Sequence, residues 1–202
     1  MLFRSWTWTA VRPHAVCGYA AGNPMNLAVA LALYGALLRD EGGVFDFPGS
    51  AACFDALFQV TDSDLLARAA AWVSVTPSCG DNAYNVTNGA PFRWSEIWPQ
   101  LARWFELPAG GPNGMSLADW FAARQPAWEA LQQRHALRAF PFERLSPWVR
   151  GDYSGASSRF SCEYDVVSDV SKLRSSGFAE SLDTGAMFVR LFDRLRAARV
   201  IP

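Results

Sequence analysis

Lysine is almost missing from this chain: Lys172 is the only one among 18 basic residues, and only two histidines, His14 and His135, accompany it. A G-x-x-x-x-G-K-[ST] phosphate loop needs a lysine that only Lys172 could supply, and none is found there. The dinucleotide fingerprint G-x-G-x-x-G is absent too, as is a G-x-S-x-G nucleophile elbow. Four cysteines, Cys17, Cys53, Cys79 and Cys162, are widely spaced with no C-x-x-C pair. That spacing, with so few histidines, excludes the usual zinc sites and points to thiols buried in a core. No basic run suits nucleic acid or an acidic membrane surface, and the formal net charge is −1. The longest apolar run, near residues 27–38, is too short to span a bilayer. The start, MLFRSWTWTAVRP, reads as neither signal peptide nor anchor. These absences lead to the expectation of a cytoplasmic protein with no membrane, nucleic-acid or metal partner.

Apolar material is plentiful. Half of the 202 residues are hydrophobic and 18% are charged, which suits a folded core. Trp6 to Val11 is aromatic and β-branched and predicts a strand, stopped by Arg12-Pro13. Asn26 to Arg39 predicts a buried helix ended by Gly42-Gly43. Val44 to Phe47 and Leu57 to Val60 predict two short strands, and Pro48-Gly49 a turn. Thr61-x-x-Asp64 loosely fits a capping box, with Asp62 and Asp64 as helix-start residues. Ala83 to Val86 predicts another strand, and Trp94 to Phe105 a helix facing inward through Ile97, Trp98, Leu101 and Phe105. Residues 108–114, PAGGPNG, read as a loop or joint. Ser116 starts a helix, and Pro126 breaks it before another begins at Trp128. Ser168 to Ser175 predicts a short helix capped by Gly177, and Asp183 to Ala198 an amphipathic one. With three or four strands, the βα units are too few for a full doubly wound sheet.

Short-chain reductases use a tyrosine with a lysine four residues later, the lysine lowering the phenol's pKa. Ser168 holds the tyrosine's place before Lys172, so Lys172 reads as a surface residue of a short helix. An ordered series of motifs then carries a likeness. Trp8-x-x-x-Arg12-Pro13, Gly18-Tyr19 and Met25-Asn26-Leu27 come first. Phe47-Pro48-Gly49-Ser50, Thr61-Asp62-Ser63-Asp64-Leu65, Tyr84 to Gly89 and Phe92-x-Trp94-x-x-x-Trp98 follow. Pro126-x-Trp128-Glu129 and Val200-Ile201-Pro202 close the series. Together they resemble the progesterone 5β-reductase and iridoid synthase-like (PRISE) family of extended short-chain dehydrogenases.

The resemblance implies an α/β fold: the C-terminal part of an NAD(P)-binding Rossmann-type extended short-chain dehydrogenase, with few strands and a helix-rich substrate lobe. Residues 1–107 would be the Rossmann remnant with inserted substrate-lobe elements, and 108–202 the mainly helical substrate-binding lobe. The family's glycine-rich loop and its Tyr and Lys would lie upstream, so no catalytic residue is expected within the chain. Pro13, Val16 and the loop Asn23-Pro24-Met25 match positions that contact the nicotinamide cofactor, NADP(H) or NAD(H). Each also suits plain structural duty, Pro13 ending a strand and Met25 packing beneath a helix. Trp148 matches an aromatic stretch lining the substrate pocket, although Val149 and Arg150 depart from it, and plain packing suits Trp148 as well. The implied reaction is hydride delivery to an enone or related carbonyl substrate. The chain alone is expected neither to turn over nor to bind the cofactor tightly. The alternative is a non-catalytic module that pairs with a separate Rossmann half through the edge of its opening strand.

Overall fold

The computed structural model describes residues 6–20, 26–138, 160 and 162–202. The chain opens with β1 (Thr9–Pro13), a single residue His14, and β2 (Ala15–Cys17). Next come α1 (Leu27–Glu41), β3 (Phe45–Phe47), α2 (Ala51–Asp55), β4 (Leu57–Phe58), β5 (Val60–Asp62) and α3 (Ser63–Val75). The middle holds β6 (Asn82–Val86), β7 (Phe92–Arg93), α4 (Trp94–Trp104), β8 (Ala109–Pro112), α5 (Leu117–Ala123) and α6 (Gln125–His135). Towards the end lie α7 (Ser171–Ser175) and α8 (Thr184–Ala197). Among the described residues the strands form four two-stranded pairs: β1–β6, β2–β5 and β3–β8 are parallel, and β4–β7 is antiparallel. This is an α/β architecture with few strands.

The helix caps follow from local chemistry. The Asn26 side chain accepts from the Val29 N–H, and Gly42 takes the left-handed conformation (φ 67°) that closes α1. Every residue from Leu27 to Leu38 is buried. So α1 is a central helix rather than an amphipathic one. Around it runs an aromatic layer. Phe45 stacks on Trp98 at 4.5 Å between centroids, and the Trp98 indole donates to the Phe45 carbonyl at 2.7 Å. Gly35 lets the Phe105 ring sit where a β-carbon would stand. A smaller cluster of Leu65, Ala69, Val73, Cys79, Tyr84, Val86, Leu173 and Phe178 lies under α3 and the β1–β6 pair. All four cysteines are buried.

Several boundaries differ from the sequence expectation. The opening strand includes Arg12 and Pro13, because a proline at a strand end gives up only one ladder hydrogen bond. Leu57 to Val60 is not one strand. It divides at Gln59, since Leu57–Phe58 pairs with Phe92–Arg93 while Val60–Asp62 pairs with Ala15–Cys17. Thr61 lies in β5 and does not cap; Asp62 caps α3, accepting from the N–H groups of Asp64 and Leu65. PAGGPNG is not a loop throughout: Ala109–Pro112 is strand β8, and at Gly110 a β-carbon would collide with the Asp46 carboxylate. The second of the paired helices starts at Gln125, ahead of Trp128, because Pro126 is tolerated in a first turn. The helix expected from Ser168 starts at Ser171.

Candidate functional site

The parallel pairs β1–β6 and β2–β5 meet at a corner, and His14 is the residue on which the chain turns it. The His14 N–H donates to Thr61 Oγ1 at 3.0 Å, and Thr61 in turn donates to the Val86 carbonyl at 2.7 Å. The Asp62 N–H donates to Asn88 Oδ1 at 2.7 Å. One hydroxyl and one amide therefore join the carboxyl end of the β1–β6 pair to β5 of the second pair, which begins where the first one ends. Ligands of open α/β sheets gather at such carboxyl ends.

A segment from the far end of the chain, residues 162–170, crosses this corner. The Val166 N–H donates to the Leu57 carbonyl at 2.8 Å, and Asp165 Oδ1 accepts from the Leu57 N–H at 2.7 Å. The Ser168 N–H donates to Gln59 Oε1 at 2.7 Å, while the same amide side chain of Gln59 donates to the Gly89 carbonyl at 3.0 Å. Asn85 Nδ2 donates to the Asp169 carbonyl at 2.9 Å. The crossing brings Ser168 Oγ to 2.6 Å from His14 Nε2, with both residues half-buried.

Pro13 ends β1 at this corner, and Val16 lies in β2 just beyond His14. Both are exposed, Val16 at 41%, while its neighbours Ala15 and Cys17 point inward in strand alternation. Asn23, Pro24, Met25 and Trp148 lie outside the described residues. Sequence reasoning passed over His14 and Ser168. A histidine placed directly after Arg12-Pro13 was the available signal, but nothing local connects it to a serine 154 residues away.

Lys172 is exposed on α7, its Nζ 5.0 Å from the centre of the Tyr84 ring. This is no reductase dyad. A hydrogen bond with the Cys79 thiol, more than burial, pushes the Tyr84 phenol up, whereas an acid working near neutral pH needs it lowered. Among the described residues no group of three or more His, Cys, Asp or Glu could hold a metal, and no helix is long and apolar enough to cross a membrane.

Comparison with known proteins places this geometry. The model of the PRISE-like Rossmann-fold domain family matches residues 3–202. The short chain dehydrogenase sirR of Leptosphaeria maculans is 33% identical over 211 residues, covering 98% of this chain and 52% of that protein. (S)-8-oxocitronellyl enol synthase ISY1 of Nepeta racemosa is 27% identical over 98% of this chain and 50% of its own length. The 3-oxo-Delta(4,5)-steroid 5-beta-reductase of Arabidopsis thaliana is 24% identical over 97% of this chain and 50% of its length. The chain thus spans about half the length of the curated relatives it matches. Among solved structures, the terminal R domain of the myxalamid PKS-NRPS pathway superposes with a TM-score of 0.58 at 18% identity, covering 98% of this chain and 46% of that one. The UDP-glucose 4-epimerase of Thermus thermophilus, solved with NAD, gives 0.53 at 14% identity, covering 95% and 47%. These two likenesses concern the fold.

Proposed function

From the premise that this chain belongs to the PRISE-like Rossmann-fold domain family, we propose that it forms the C-terminal half of an NAD(P)H-dependent reductase acting on a carbon–carbon double bond conjugated to a carbonyl. Residues 1–107 supply the Rossmann remnant and its inserted elements, and 108–202 the mainly helical substrate side. The observation that supports this best is the corner itself: exposed Pro13 ends parallel strand β1, exposed Val16 follows in β2, and the 162–170 segment is hydrogen-bonded to Gln59, Asn85 and His14 beside them.

The donor set there fits one end of a nicotinamide cofactor, NADP(H) or NAD(H). The Gln59 amide and the Thr61 hydroxyl are taken up by internal hydrogen bonds, so the Ser168 hydroxyl beside His14 is the group there suited to a carboxamide. The chain has no glycine-rich loop to hold a pyrophosphate. When bound, the cofactor supplies the hydride. Pro13 and Val16 lie where they would form one wall of the nicotinamide site and shield it from water. Family resemblance assigns Asn23, Pro24 and Met25 to the cofactor site and Trp148 to the substrate pocket.

The second reading, a module that assembles with a separate Rossmann half, is favoured by the other side of β1. Among the described residues β1 pairs only through β6, and Trp6 and Trp8 are 68% and 45% exposed. Beside them a groove of about 350 Å³ is lined by Thr7, Thr9, Val11, Val73 and Val75. An unpaired strand edge with apolar neighbours is a natural seat for another parallel strand.

One experiment tests both readings. Purified chain is assayed for NADPH oxidation with an enone, alone and after mixing with a Rossmann half carrying the glycine-rich loop and the Tyr and Lys. Turnover only in the mixture supports the reductase reading. Turnover by the chain alone defeats the half-enzyme reading, and a stable complex without turnover favours the assembly module.

A further inference from the structure

The backbone groups of the corner are already satisfied, yet His14 and Ser168 also hold each other by their side chains, with part of each open to solvent. The hydrogen bond between them can run either way. The serine hydroxyl donates to a neutral Nε2, or an Nε2–H donates to Oγ and leaves the hydroxyl hydrogen for a third group. In the second arrangement the pair is a donor relay, imidazole N–H to serine oxygen and serine O–H to an incoming acceptor. It stands near exposed Val16, between the carboxyl end of β1 and the start of β2.

We propose that the His14–Ser168 pair binds the carbonyl oxygen of a ligand at this corner. The proposal rests on the reading that the site receives a conjugated carbonyl and a nicotinamide, both of which present such an oxygen. Ser168 makes the contact, and His14 is a positioning residue that sets the hydroxyl's direction. Removing one neutral hydrogen bond of this kind weakens binding on the order of threefold to tenfold.

The two histidines make the test direct, because His135 lies at the end of α6 and serves as an internal control. The full chain is labelled with carbon-13 histidine, and the ring signals are followed by NMR during titration with 2-cyclohexen-1-one, with nicotinamide, and with cyclohexanol as the carbonyl-free control. The expected result is a saturable shift of the His14 signal, with His135 unmoved and cyclohexanol silent. Ser168→Ala weakens the response by the stated factor, and Ser168→Thr retains it. Ser168→Val repeats the removal in the shape of threonine, should alanine disturb the fold. A response to the enone assigns the oxygen to the substrate, and a response to nicotinamide alone assigns it to the cofactor; either supports the pair. No shift with any carbonyl compound, or a response equal in Ser168→Ala and the parent, overturns it. The mixing assay stands apart: turnover in the mixture without an NMR response removes the pair and keeps the reductase reading, and the converse keeps the pair alone.

Discussion

The region around α1 and the region around β1 are built on different terms. The first wraps a helix buried on every side in aromatic rings from β3, α4 and α8; the Trp98 indole donates to the Phe45 carbonyl there, while the buried Trp94 N–H has no hydrogen-bond partner among the described residues. Among the described residues, the second has a core of eight buried residues under one face of a two-stranded sheet whose first strand has one neighbour. Buried apolar area is the main stabilising term in folding. The α1 region therefore holds itself together, while the β1 region depends on it and leaves tryptophans and a strand edge facing outward. The difference teaches that one chain can carry a densely packed aromatic core beside a thinner cluster with exposed tryptophans at its edge.

The largest blow to this contrast comes from truncating its strong side. Trp98→Ala empties a fully buried site stacked on Phe45 and is expected to cost about 3–5 kcal/mol, lowering the urea midpoint of the whole chain. The companion, Leu65→Ala in the smaller cluster, is expected to cost about 2–3 kcal/mol. Amide exchange should then speed up first in β1 and β6, with α1 protected. Equal acceleration in α1 would mean that the two regions unfold as one unit.

A milder probe adds rather than removes. Gly35→Ala places a β-carbon 2.5 Å from the Phe105 ring and should cost about 1–3 kcal/mol by overpacking. Thermal melts that leave this variant unchanged would show the central layer to be looser than described.

Asp62 connects the regions, since its buried carboxylate caps α3 and takes Arg190 of α8. Asp62→Ala is expected to lose about 1–2 kcal/mol, and Asp62→Asn, which keeps the cap, to lose less. A chemical melt in which both lose equally would place the effect in the ion pair instead.

The smallest expected effect is alkaline. Burial pushes the Cys53 thiol from its ordinary 9.0 up to about 12, and burial likewise raises Tyr34. Above pH 9 the unfolded chain sheds the thiol proton while the folded chain keeps it. Stability is therefore fully present below about pH 9 and falls as pH rises towards 12. Denaturant midpoints between pH 8 and 10.5 should decline, and less steeply in Cys53→Ala.

What was legible in the sequence follows the same divide. The central helix announced itself through its apolar residues from Leu27 to Leu38, broken by Tyr34 and Gly35, and through Gly42, and α8 through Phe188, Leu191, Phe192 and Leu195. These are local signals. Strand β8 was hidden because its glycines look like turn residues, whereas Gly110 serves the close approach of the Asp46 carboxylate. The split at Gln59 was hidden because partners from β2 and β7 decide it, not the run itself. Family likeness singled out Pro13 and Val16, but no spacing rule reaches from His14 to Ser168.

That separation also sets a schedule. Ser168 follows His14 by 154 residues and Gln59 by 109. At a synthesis rate of roughly 5–20 residues per second, the ribosome delivers it about 8–30 seconds after His14. The α1 helix and its first aromatic partners emerge well before then. The corner therefore closes late, just ahead of α8, whose Phe188 and Phe192 complete the layer around α1; a chain released before Ser168 lacks both the corner and the last wall of its core.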